Sequence, residues 1–371
     1  MPSSRPQSHI SLAVLVAVLV LSLPAAVKAE GKITRTASGH PNLSGNYNAA
    51  TLTPLQRPTA YGDTLLMTKE EAQKIADDQA SRIDKTSRDT DPNREAPPVG
   101  GAAVVGFEDT PDGGNRFGAG NVGGYNWFWI DQGSDAFNVD GKFRTSILID
   151  PKNGRMPERT EAARQARAER ARGFVRRQND GTAWWLENDG PGPYDNIETR
   201  SRAERCITGF TGATPTFPSL YNNYKRIVQT EDHVMILIEM VHDARIVRMK
   251  AEGRTVEHPS ADVRKWLGDS IGWWEGDALV VDTTNFRPDN APRGGSENAH
   301  VVERFTPLEN GDLLYRFTVQ DDTVWEAPWT GEYVWRASEE KVYEYACHEG
   351  NYAMGNILRG ARLLEREALE P

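Results

Sequence analysis

The sequence predicts a mainly β chain, an antiparallel meander closing into a barrel or a sandwich, with an irregular N-terminal region and a few helices. Two observations predict it. From Tyr221 onward short apolar runs recur, joined by turn chemistry at Glu275-Gly276-Asp277, Glu309-Asn310-Gly311-Asp312 and Ser338-Glu339-Glu340. Inside the runs hydrophobicity alternates. Leu313, Tyr315, Phe317 and Val319 take one face, and Leu314, Arg316, Thr318 and Gln320 the other. Many short strands on tight turns favour an antiparallel barrel or sandwich.

Residues 1–29 read as a secretory signal peptide. Arg5 is followed by an apolar run from Ile10 to Leu23 and by small residues ending at Ala29. The run is shorter than the roughly 20 residues of a membrane-spanning helix. No later stretch approaches that length, so no membrane span is expected after cleavage, and the expected location is periplasmic or secreted. Beyond residue 29 there are 41 basic and 53 acidic residues, a net charge of −12. That balance argues against nucleic acid or an anionic membrane as partner.

Residues 30–200 are expected to wrap the core irregularly. "HPNLSGNYNAATLTPLQRP" reads as a strand with turns. "TKEEAQKIADDQASRIDK" is a helix, with Thr68 as N-cap and Glu71 completing a capping box. Residues 87–124 are rich in Gly, Pro, Asp and Asn and predict a long loop. "YNWFWIDQG" and "FRTSILIDPKNGRMP" follow as strands. The arginine- and alanine-rich stretch within 155–177 predicts a solvated helix.

Residues 201–371 are expected to form the barrel-like domain. Strands are predicted over 224–230, 233–241, 244–250, 271–275, 278–286, 299–306, 312–320, 330–337 and 341–348, then a helix over 355–369. Cys206 and Cys347 are the only cysteines, and an exported chain with an even pair invites a disulfide.

Strand parity selects candidate functional residues, because successive side chains alternate faces. Glu303 shares a face with Val301 and Phe305. His242 continues the face of Ile236 and Ile238, and His348 that of Val342 and Ala346. Ionisable groups on several apolar faces suggest a shared polar pocket. His242 and His348 are the candidate acid–base groups, with Asp243 and Glu303 sharing or tuning the proton. Arg245 could hold a substrate carboxylate or phosphate, or neutralise a buried glutamate. Glu349 and Asn351 could orient polar groups. Trp325 and Trp329, near a Pro-bearing connection, are expected to line a mouth.

Metal ligand types occur at His242, His300, His348, Glu303 and Asp243, but in no tight ligand spacing, so neither metal nor cofactor is expected. Nucleophile-elbow, phosphate-loop and dinucleotide signatures are absent.

The segments "YNNYKRIVQT", "EMVHDARIV", "WLGDSIGWWEGDALVVDTTNF", "GGSENAHVVERFT" and "YEYACHEGNYAMGNILRGAR" resemble a large, functionally uncharacterised family of secreted bacterial proteins. "RTSILIDPKNGRMP" and "ERCI" resemble the same family, over about residues 40–365. The resemblance implies a shared fold and export and brings no catalytic assignments. "GWWEGDALVVDTTNF" is also similar to strands of lipocalin-like barrels, which implies a ligand-holding barrel. The expectation is an exported enzyme using His/carboxylate acid–base chemistry on a small polar or aromatic molecule, such as a glycoside or phenolic. Lyase, hydratase or isomerase chemistry comes first and hydrolysis next. The alternative is a non-catalytic, lipocalin-like small-ligand carrier. Oligomeric state is not legible.

Overall fold

A computed structural model describes residues 33–86, 93, 130–172, 181–187, 192–209 and 214–370. The expected signal peptide, the predicted loop at 87–124 and most of "YNWFWIDQG" lie outside the described residues, apart from Asn93.

In chain order the elements are β1 (Gly45–Asn48), β2 (Leu66–Met67), α1 (Lys69–Thr86), β3 (Asn138–Val139), β4 (Lys142–Arg144), β5 (Leu148–Asp150) and α2 (Glu161–Arg172). There follow β6 (Tyr224–Gln229), β7 (His233–Ile238), β8 (Asp243–Met249), β9 (Asp269–Glu275), β10 (Ala278–Thr284), β11 (His300–Pro307), β12 (Leu313–Gln320), β13 (Trp329–Ser338) and α3 (Tyr352–Leu369).

Nine strands close a barrel in the order β1-β6-β7-β8-β9-β10-β11-β12-β13, with β13 returning to β1. Closure removes the exposed edges that an open sheet would present to other chains. β1 supplies the closing stave, pairing Tyr47 with Lys225 on β6 and with Ala337 on β13. The barrel is therefore not built from residues 201–371 alone. β5 adds to β13 at a bulge beside Thr330 and Gly331. A separate small sheet has the order β2-β4-β3.

The capping box at α1 forms as expected. The Thr68 backbone N–H donates to Glu71 Oε2 at 2.7 Å, and the Glu71 N–H donates to Thr68 Oγ1 at 3.1 Å.

Two expectations about strands are corrected. The meander is antiparallel except between β8 and β9, which run parallel. The connection at 250–268 recrosses the barrel wall to make that pairing. His258 fastens it there: Nδ1 lies 2.9 Å from Asp269 Oδ1, and Nε2 lies 3.0 Å from Asp282 Oδ1. Residues 341–348 are not a strand; 341–346 are irregular and 347–350 form a turn. β13 is already hydrogen-bonded to β12, β1 and β5, so the barrel has no free edge to receive them.

Inward residues of the staves merge into one core, alternating most cleanly along β11 and β12. Tyr315 sits among Phe305, Phe317, Tyr333 and Trp335, with ring centroids 4.9–5.6 Å apart. Trp325 and Trp329 belong to this core, 2% and 0% exposed and edge-on to each other at 5.6 Å. They do not line a mouth. Trp329 opens β13 on the inward face, and its indole packs against Phe317.

Candidate functional site

The polar groups inside the barrel gather towards one pole, where β6 begins, β7 ends and β8 begins. Lateral pairing sets Tyr47, Lys225, Ile238 and Asp243 in one row across β1, β6, β7 and β8. The next row on β8 carries Arg245, two residues on and therefore on the same inward face.

β7 stops at Ile238, earlier than expected, because the chain turns sharply through residues 239–242. Val241 (φ 58°) and His242 (φ 48°) both take left-handed backbone conformations, which are unfavourable for a β-branched valine. The turn rotates His242 out of the β7 face. Its ring is exposed, with Nδ1 3.2 Å from the carbonyl oxygen of Tyr345. The expected alignment of His242 with Ile236 and Ile238 therefore does not occur.

Asp243 points inward. Its Oδ2 accepts a hydrogen bond from the Gly209 N–H at 2.9 Å. Burial pushes its carboxyl up to about 6, against the opposing effects of that hydrogen bond and of the nearby charges of His242 and Lys225. Lys225 is 0% exposed, and among the described residues its Nζ has no hydrogen-bond partner. Burial pushes this amine down to about 8, while the charges of Glu239 and Asp243 act the other way. Glu239 is likewise raised, chiefly by burial; its Oε2 accepts from the Tyr224 N–H at 3.3 Å.

Deeper in the barrel, Arg245 forks onto Glu303, which is 0% exposed. Nη1 donates to Oε2, and Nη2 donates to Oε1 at 2.9 Å. Tyr315 donates its hydroxyl proton to the same Oε1 at 2.6 Å, and Arg245 Nη1 also reaches Thr283 Oγ1 at 3.4 Å. Tyr315 is held well above its usual range, first by burial and then by the Glu303 charge. Of the two roles weighed for Arg245, the geometry supplies the neutralising one: its fork is filled by Glu303.

The remaining candidates lie apart from this interior. His348 and Glu349 are exposed in the turn at 347–350. His348 does not share the face of Val342 and Ala346, since no strand forms there. Asn351 is the N-cap of α3: its Oδ1 accepts from the Met354 N–H, and its Nδ2 donates to the Glu204 carbonyl at 2.7 Å. Cys206 and Cys347 form a disulfide with a Cα–Cα distance of 5.7 Å, fastening this irregular segment to residues 203–206. Around it lies a surface cavity of about 460 Å³ lined by Glu204, Cys206, Tyr345, Cys347, Asn351 and Met354.

Asp243, Arg245 and Glu303 are thus brought together inside the barrel, with His242 at the rim. His348, Glu349, Asn351, Trp325 and Trp329 are not. Lys225 was missed by sequence reasoning. In "YNNYKRIVQT" it sits in a hydrophilic run, yet parity with Ile227 was the available signal. A second polar cluster was also missed, on the barrel exterior. Asp282 stands between His258 and His300, with His300 Nε2 2.7 Å from Oδ2. Among the described residues, no group of three or more His, Cys, Asp or Glu side chains is arranged to hold a metal ion. No helix among them is long and apolar enough to cross a membrane.

Compared with known proteins, the chain matches no family model, and no curated sequence matches it.

Proposed function

We propose that this chain is an exported enzyme that moves protons on a small polar or aromatic molecule, and that the work is done at the Asp243–Lys225 pole of the barrel. One observation carries the reading. A carboxyl at about 6 and an amine at about 8 share one inward row of a closed barrel. Burial has moved both towards neutrality, where proton transfer is most efficient. At pH 7 Asp243 is mainly the carboxylate and acts as base. Lys225 is mainly the ammonium and stabilises negative charge developing on the substrate. The Arg245–Glu303–Tyr315 network beneath fixes the floor of the site, and His242 guards the rim. Lyase, hydratase or isomerase chemistry suits such a pair, on a glycoside or phenolic substrate. Export is supported by the basic and apolar N-terminus and by the disulfide, which persists in oxidising compartments.

A panel of small glycosides and phenolics, assayed for turnover and for solvent-deuterium uptake, tests this. Turnover of a panel member should rise as pH passes about 6, where Asp243 ionises. It should fall at least 100-fold in Asp243→Asn with the circular dichroism unchanged. Equal turnover in wild type and Asp243→Asn overturns the assignment.

The second reading, a non-catalytic carrier, is favoured by a different observation: Glu303 is already satisfied by Arg245 and Tyr315, as an internal ion pair in a binding barrel would be. It predicts saturable binding by a panel member with no chemical change.

A further inference from the structure

We infer that Lys225 is a covalent amine nucleophile that takes an aldehyde or ketone as an imine. The inference rests on the reading of the barrel pole given above and deepens it by naming the substrate class.

The argument begins with what a buried lysine costs. An ammonium taken from water without a partner costs several kcal/mol, and a thioether or hydrocarbon of similar length would fill the same space without that penalty. Other buried cations each have at least one acceptor, although Arg57 Nε and Nη2 and Arg245 Nε meet none among the described residues. Arg245 is filled by Glu303, and Arg57 donates to the Lys152 carbonyl at 2.6 Å. Lys225 differs: it is fully buried, and Nζ meets no acceptor among the described residues. Glu239 and Asp243 are near enough to act on it by charge, yet neither accepts its proton in a hydrogen bond. Such an environment enlarges the fraction of neutral, nucleophilic amine at pH 7 beyond that of an exposed lysine, though the ammonium predominates, and two carboxyl groups stand nearby for proton transfer.

The pole above the amine is closed by irregular chain rather than by a strand ladder. Asp243 accepts from the Gly209 N–H, and His242 meets the Tyr345 carbonyl. Tyr345 in turn lines the cavity around the disulfide. A small carbonyl compound would arrive from that side.

The chemistry balances without a further reactant. The Nζ lone pair forms a bond to the carbonyl carbon, and the π pair moves to oxygen, which takes up the proton released by nitrogen. The carbinolamine then loses its hydroxyl as water, using the proton of the Asp243 carboxyl. An iminium remains, facing the Asp243 and Glu239 charges. Amine, carbonyl and the Asp243 carboxylic acid have become iminium, water and the Asp243 carboxylate, with no change of oxidation state. The iminium is an electron sink, so Asp243 acting as base would remove a proton from the carbon beside it, as the proposed proton-transfer chemistry needs.

The test is reductive trapping on the full chain. Glyoxylate and benzaldehyde are supplied separately at pH 7 with sodium cyanoborohydride, and labelled peptides are mapped by mass spectrometry. At least one aldehyde should label Lys225 ten-fold or more faster than Lys74 and Lys152, whose side chains are 74% and 85% exposed. Lys225→Met should lose that label alone. Should Lys225→Met fail to fold, the wild-type peptide map decides. Labelling of Lys74 and Lys152 with Lys225 unmodified overturns the inference. If Lys225 stays unlabelled while Asp243-dependent turnover persists, the imine falls and the acid–base reading stands. If Lys225 is labelled but no turnover depends on Asp243, the imine stands and the acid–base reading falls.

Discussion

Arg245 and Glu303 illustrate how unequal the two ways of removing a buried ion pair are. Arg245→Met leaves the Glu303 carboxylate in the core with only Tyr315 to donate to it, and should cost about 3–5 kcal/mol in urea denaturation. The double variant Arg245→Met/Glu303→Leu removes both charges and should recover most of that loss. A double variant no more stable than the single one would mean that the network does more than satisfy itself. Asp243 makes a separate prediction about pH. Its carboxyl is raised from 3.8 to about 6 on folding, so its favourable contribution is present below 3.8 and is lost as pH rises through 6. Asp243→Asn should therefore match wild type near pH 4. Near pH 7 it should be more stable by about 1–2 kcal/mol, since part of the gain is offset when Lys225 loses a counter-charge. Lys225 has the opposite case: its amine is lowered from 10.5 to about 8, so its contribution is present above 10.5 and is lost as pH falls through 8. Between the two values both groups carry charge that burial penalises. A denaturation series from pH 4 to 10 with Asp243→Asn and Lys225→Met would show whether the wild-type shortfall lies in that window.

Among the elements, β13 is the most constrained stave, because it pairs with β12 and β1 and takes β5 at its bulge. Gly331 sits at that bulge directly over Phe317: a Cβ there would lie 2.4 Å from the ring's Cζ. Gly331→Ala must displace a fully buried ring that already packs against Trp329, and should cost about 1–3 kcal/mol. A thermal shift within error of wild type would show that Phe317 can move freely. The same elements explain what the sequence could and could not tell. The residues of β12 alternate cleanly, and the strand forms where expected. "VYEYACHE" alternates almost as well, yet stays irregular, because a strand needs a partner edge and closure by β1 leaves none. The short β1 forms within the segment read as a strand with turns, but that segment is expected in the wrapping region rather than in the barrel. The parallel pairing of β9 on β8 was illegible for a related reason: the crossover at 250–268 is not a helix but irregular chain fastened by His258. Among site residues, parity worked where the strand was real, at Glu303. It failed at His242 and His348, where the chain leaves the strand.

For the whole molecule, the disulfide links two irregular segments far apart in the chain rather than two staves. Cys206 and Cys347 are separated by 141 positions, and cross-linking so long a loop can stabilise by about 4–5 kcal/mol through the unfolded state. The barrel, however, is closed by hydrogen-bonded strands around its full circumference and does not need the bond to stay shut. Breaking the bond should therefore act in two separable ways. Global stability of Cys206→Ser/Cys347→Ser should fall, by no more than that entropic figure. Locally, backbone hydrogen exchange should rise first at 203–209 and 343–351, the chain that covers the Asp243–Lys225 pole, while β10, β11 and β12 keep their protection. Besides the disulfide, bonds among the described residues hold the covering chain: His242 to the Tyr345 carbonyl, Asn351 to the Glu204 carbonyl, Asp243 to the Gly209 N–H and Thr208 to Asn290. If all the strands lost protection together with the cover, the disulfide would be part of the barrel's own cohesion. If the cover alone loosens, and reductive labelling of Lys225 quickens with it, then the bond's role is to hold shut the end of the barrel where the buried amine lies.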